Sequence, residues 1–199
     1  MATKKPSLEE LERVHPKSRE QWRTWLERNH LTSPGAWLVT YKKETGKPRI
    51  DYAEAVEELL CFGWVDSKAL KLDDERSMLL CTPRKPKSVW SKPNKERVQR
   101  LTAQGLMAPR GLEMVELAKR TGTWDALNDV DALVIPDDLE ARLGKSAAAR
   151  THWDAFPPSA KRAILQWILA AKRPETRQKR IDETVSQAAK NLRANQSRP

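Results

Sequence analysis

Residues 36–43 read AWLVTYKK. The run is rich in β-branched and aromatic side chains, with Trp37, Val39 and Tyr41 alternating onto one face. Period-two alternation of this kind predicts a strand. Toward the C-terminus, Glu44-Thr45-Gly46-Lys47 reads as a loop. Asp51, with Glu54 three residues on, has the pattern that opens a helix, and Tyr52, Val56, Leu59 and Leu60 form its apolar stripe. Gly63 is placed to stop it. Trp64-Val65 then begins a second strand, Asp73-Asp74-Glu75 a turn, and Ser77 to Cys81 a returning strand. The expectation is a small antiparallel sheet of about three strands confined to 36–83, with a helix packed on it.

Outside this stretch the pattern is helical. Ser7-Leu8-Glu9-Glu10 and Ser18-Arg19-Glu20-Gln21 both fit a capping box, and Trp22, Trp25 and Leu26 share one helical face. Beyond residue 91, proline and glycine punctuate a series of helices. Ala160, Ile164, Trp167, Ile168 and Ala171 recur at helical spacing, and Ile181, Val185, Ala188 and Leu192 do the same after Pro174. The fold class read from these signals is α+β, mostly helical, ending in a C-terminal helical hairpin. Residues 1–157 would form the mixed domain, with 158–199 packed on it as an appendage or merged with it into one domain.

The 199 residues include no apolar run long enough to span a bilayer, which takes about 20 residues. Residues 1–20 contain no apolar stretch of the secretory type, so a cytoplasmic location is expected. Cys61 and Cys81 are not a CxxC pair and read as buried thiols. His15, His30 and His152 are scattered singly, so no metal is expected. No glycine-rich phosphate loop, dinucleotide fingerprint or GxSxG elbow occurs; no cofactor is expected and no catalytic residue is assigned.

The net charge of +10 is concentrated. Residues 84–100 carry seven basic residues against one acid, and residues 172–180 carry five against one. Two local clusters point to anion-facing surfaces, or to solvated faces that aid solubility. The first overlaps TPRKPKSVWSKPN (82–94), where three prolines deny regular structure. Arg84 and Lys87 offer charge there, Ser88, Ser91 and Asn94 neutral hydrogen bonds, and Trp90 a stacking face. A helix starting near Ser91 would add free N–H groups. Lys42 and Lys43, at the end of the first strand, are placed to reach the same site. Asp66 is either a turn residue or a polar group at a pocket rim. The alternative for the loop is a cap-rich connection with Trp90 tucked into the core. Lys172, Arg173, Arg177, Lys179 and Arg180 form the second basic cluster.

Taken in order, YKK (41–43), CFGWVDS (61–67), TPRKPKSVWSKPN (82–94), GLMAPRGLEMVELAKRTGTW (105–124) and AAKRPETRQKRI (170–181) resemble the YdeI/OmpD-associated protein family, also labelled bacteriocin-protection. The resemblance runs from about residue 18 to 190. By name it implies protection against antimicrobial peptides and envelope stress, and it brings no catalytic residue set. Family descriptions that place members in the periplasm conflict with the cytoplasmic reading of this chain. Three functions follow, in this order: binding of a small anionic ligand or partner through residues 82–97, weak non-specific binding of nucleic acid, and an enzyme site around Lys42, Asp66, Arg84 and Ser88. Oligomeric state is left open.

Overall fold

In the computed structural model, which describes residues 6–195, the AWLVTY run is a strand flanked on both sides. Glu12–Val14 (β1), Ala36–Tyr41 (β2), Trp64–Lys71 (β3) and Arg76–Pro83 (β4) form one sheet in the order β1-β2-β4-β3. β4 runs antiparallel to both of its neighbours. β1 lies parallel to β2, which requires a crossover, and helix α1 (Arg19–Asn29) supplies it. The sheet is therefore mixed, has four strands and begins before residue 36. A three-residue strand is too short to display alternation, so β1 is hidden inside a region that reads as helical. The Ser7–Glu10 capping box does form, but around a single 3-10 turn, Leu8–Glu10.

The chain folds as two compact units, Met1–Asp125 and Ala126–Pro199. In the first, α1 and α2 (Tyr52–Cys61) share a core with one face of the sheet. Register places Leu38 opposite Leu79 and Thr40 opposite Ser77, so these side chains share that face. Trp22, Leu26, Val56, Leu59 and Trp64 fill the core they enter. The opposite face carries a smaller cluster of Leu11, Trp37 and Leu80. β2 buries side chains on both faces from Ala36 to Val39, which accounts for its nearly unbroken apolar sequence.

Two further helices, α3 (Lys92–Ala103) and α4 (Pro109–Arg120), close this core with Val98, Leu101, Met114 and Val115. The end of α2 is gripped by the start of α4: the Ala108 N–H donates to the Cys61 carbonyl at 3.0 Å. Gly111 sits so close that an added Cβ would lie 2.2 Å from that same oxygen. Gly63 turns the chain out of α2 at φ +70°, a conformation that favours glycine. Glu58, 1% exposed, receives Arg19 Nε at 2.6 Å and Arg23 Nη1 at 2.9 Å. Its buried charge is thereby paired from α1.

The second unit is helical among its described residues. It comprises α5 (Asn128–Asp131), α6 (Asp137–Leu143), α7 (Ala147–Ala155), α8 (Pro158–Leu169) and α9 (Pro174–Ala188). The α8 and α9 stripes form the expected hairpin. They share one core with Leu139, Leu143 and Trp153 of α6 and α7. The division therefore falls at 125/126, earlier than the 157/158 read from sequence, because α6 and α7 bury their apolar faces with the hairpin. Leu192 lies beyond α9 and is exposed, so it is not part of the α9 stripe.

Candidate functional site

The 82–94 segment starts as an extension of the sheet. Beyond Pro83, the Arg84 N–H still donates to the Gly63 carbonyl at 2.9 Å. This continuation carries the Arg84 side chain inward, and the residue is 4% exposed. Its guanidinium lies 3.8 Å from the centroid of the Trp90 ring, and Nη1 donates to the Val89 carbonyl at 3.1 Å. Trp90 is 1% exposed and also packs on Trp124. Arg84 and Trp90 do come together as expected, but inside the core rather than on an open anion site. Burial pulls the Arg84 guanidinium down to about 10, and the nearby Asp66 carboxylate pulls it back up. Arg84 Nε is buried without a hydrogen-bond partner among the described residues. Arg84, Asp66 and Asn94 border a gap with no room for a water molecule.

The other residues of the segment are dispersed. Ser91 caps α3 through its backbone, with Asn94 N–H donating to its carbonyl at 3.0 Å, while the serine side chain makes no capping bond. Asn94 Oδ1 accepts from Arg97 at 3.0 Å. Lys87 is exposed, and Ser88 closes a turn onto the Lys85 carbonyl at 2.9 Å. Asp66 accepts the Tyr52 hydroxyl at 2.8 Å. Burial and that bond push the Tyr52 phenol up to about 12.

Lys42 and Lys43 belong elsewhere, on a cleft of about 350 Å³ at the end of the sheet. Leu38 and Thr40 of β2, Ser77 and Leu79 of β4, and Ala69 of β3 make its floor. Tyr52 and Ala55 of α2, with Ile50 before them, make a wall. The loop 42–49 brings cations to the edge. Lys42 Nζ donates to the Asp74 carbonyl at 2.6 Å, which fixes its position without neutralising it. Lys43 lies at the mouth, and Arg49 pairs with Asp51. One acid, Glu44, also lines the cleft. Thr40 and Ser77 hydroxyls pair at 3.4 Å on the floor. Small-molecule sites commonly run from about 300 to 1,000 Å³, apolar with a few placed polar groups, and the cleft fits the small end of that range.

The sequence reading names the two lysines, as part of the Arg84–Trp90 site, and does not name Arg49, Ile50 or the wall. The stripe reading takes Tyr52 as a core residue, yet it is 60% exposed. The signal in the sequence is Ile50, a lone apolar residue in a polar loop immediately before the helix cap.

In the second unit, the basic cluster is partly used within the fold. Arg177 forks onto Asp138 at 2.6 and 2.9 Å, which holds that carboxyl below its usual range. Arg180 bonds the Trp167 carbonyl and lies over the Trp167 ring. Lys172, Arg173 and Lys179 are exposed. Among the described residues, no group of three or more His, Cys, Asp or Glu is arranged to hold a metal.

The first unit is thus an α+β domain with a cation-edged apolar cleft, and the second a helical domain with a basic turn. The chain belongs to the family described as Domain of unknown function (DUF8412), whose model matches residues 14–114. Residues 132–191 match the family model described as Bacteriocin-protection, YdeI or OmpD-Associated. The family resemblance read from sequence is found in this second unit, while most of the quoted motifs fall under the first model. Neither the curated proteins nor the solved structures contain a match. Among the described residues, no helix is long and apolar enough to cross a membrane.

Proposed function

We propose that the first unit is a binding domain for a small anion with an apolar body, seated in the cleft edged by Lys42 and Lys43. One observation carries the reading: two lysines and a salt-bridged arginine stand over an apolar sheet floor, facing a single acid. An apolar floor favours hydrocarbon, and a lysine edge favours a negative head. This keeps the binding function expected from sequence and moves its seat from residues 82–97 to the loop 42–50. A stress-protection role is part of the same proposal, supported by the description, bacteriocin-protection, of the family model that matches residues 132–191 in the second unit. A cytoplasmic location belongs to the same proposal, and the free, buried Cys61 and Cys81 accord with a reducing compartment.

Calorimetric titration of the full chain with hexanoate, benzoate and hexylammonium tests the reading. The two acids should bind and hexylammonium should not. Lys43→Glu should weaken acid binding by about tenfold, which is about 1.4 kcal/mol. Failure of both acids to bind, or equal binding of the ammonium, would overturn it.

A further inference from the structure

We infer that the cleft selects anions carrying a planar aromatic ring, which stack against Tyr52; this rests on the binding function proposed above. Tyr52 is the first residue of α2 and lines the cleft, yet it is 60% exposed. An aromatic ring standing in water at the end of a core-facing helix has no packing role to explain it. Its position is nevertheless fixed at the far end, because the hydroxyl donates to Asp66 Oδ2 at 2.8 Å. Asp66 belongs to β3, so the Tyr52–Asp66 bond anchors the exposed ring to the sheet.

The second tyrosine of the cleft differs. Tyr41 has both neighbours it needs: the His15 ring at 4.7 Å and the Lys47 ammonium at 5.0 Å from its centroid. No described ring or cation occupies Tyr52 in that way. Beside it, Ala55 and Ala69 are small, so the wall and floor leave depth for a flat group. A fixed phenol ring presents a negative face and a positive edge, and prefers an offset or edge-on aromatic partner to a saturated one. The lysines of the loop would meet the carboxylate or sulfonate of the same ligand, so one molecule would satisfy both halves of the cleft. Tyr52 acts here as a contact residue. Asp66 acts through it, as a positioning residue.

The test compares pairs of equal charge and similar size: benzoate against cyclohexanecarboxylate, and 1-naphthoate against its fully saturated analogue, each titrated into the full chain. The aromatic member should bind about five- to tenfold more tightly. Tyr52→Leu should bring the affinities of the aromatic and saturated members of each pair together, and Tyr52→Phe, which keeps the ring and loses the bond to Asp66, should keep part of the difference. Asp66→Ala, which removes the acceptor for the Tyr52 hydroxyl, should reduce the preference without removing binding. If wild type binds both members of each pair equally, ring selection is wrong and the anion-binding function stands. If neither member binds, the underlying function fails and the selectivity fails with it.

Discussion

Arg84 keeps a full charge in a setting that excludes water, and the ring of Trp90 and the Val89 carbonyl are what it has in exchange for hydration. A desolvated cation–π contact is worth about 2 kcal/mol, and a hydrogen bond from a charged group about 1.5–3 kcal/mol. Arg84→Ala should therefore destabilise the first unit by about 2–4 kcal/mol in urea unfolding, and Arg84→Lys should recover only part of this, because an ammonium lacks the planar face. An unchanged unfolding midpoint would show the side chain to be idle. Sequence reads Arg84 and Trp90 as one surface site or, alternatively, as a capped loop with Trp90 in the core; the structure has both side chains buried. A tryptophan among lysines and serines reads as exposed; what turns it inward is the sheet bond from Arg84 to Gly63, a pairing of residues distant in the chain that no local pattern reveals. Asp66, by contrast, reads as a turn residue or a rim residue, and it is an edge-strand carboxylate that holds a ring.

At the level of elements, the close contact of α2 and α4 turns on one missing side chain. Alanine is the better helix former, by about 0.8–1.0 kcal/mol over glycine. At position 111 that advantage should be reversed, since the new Cβ would meet the Cys61 carbonyl at 2.2 Å and the neighbouring Leu60 carbonyl at 2.9 Å. Both obstacles are backbone, so the helices must separate. Gly111→Ala should lower stability by about 1–3 kcal/mol, as overpacked cores do, and Gly122→Ala, where nothing lies within 4 Å, gives a control for helix-end conformation alone. A neutral Gly111→Ala in thermal unfolding would refute the close approach. Elements with caps and long stripes, such as α2, α3 and α8, are legible because their signals are local. β1 is not, because its identity comes entirely from lying beside β2. The mixed character of the sheet escapes the sequence for the same reason. The cleft shares this fate: its floor is assembled from three strands and its wall from α2, and no sequence window contains all four.

On the scale of the whole molecule, each unit carries a basic cluster, and folding engages some of its cations. Arg100 is tied to Glu57, Arg177 to Asp138, and Arg180 to the Trp167 carbonyl. Lys85, Lys87 and Lys92 in the first unit, and Arg173 and Lys179 in the second, remain exposed. Few phosphate contacts of that kind give weak binding that salt abolishes, because each releases about one counterion. A mobility-shift assay with duplex DNA should find a complex at low ionic strength, with no sequence preference, that disappears by about 150 mM salt. A sequence-selective complex persisting at that salt would move nucleic acid ahead of small anions. Clusters of charge are legible in the chain; how many of them the fold pairs internally is not, since the acids that pair with Arg100 and Arg177 lie far off in sequence. The cleft draws its apolar lining and its cations from separate stretches of chain. Its floor and wall are strands and a helix that the core cannot spare, whereas Lys42, Lys43 and Arg49 ride on a surface loop. Descendants of this protein can therefore change the charge at the rim of the cleft by altering a handful of loop codons, while inheritance of the fold continues undisturbed.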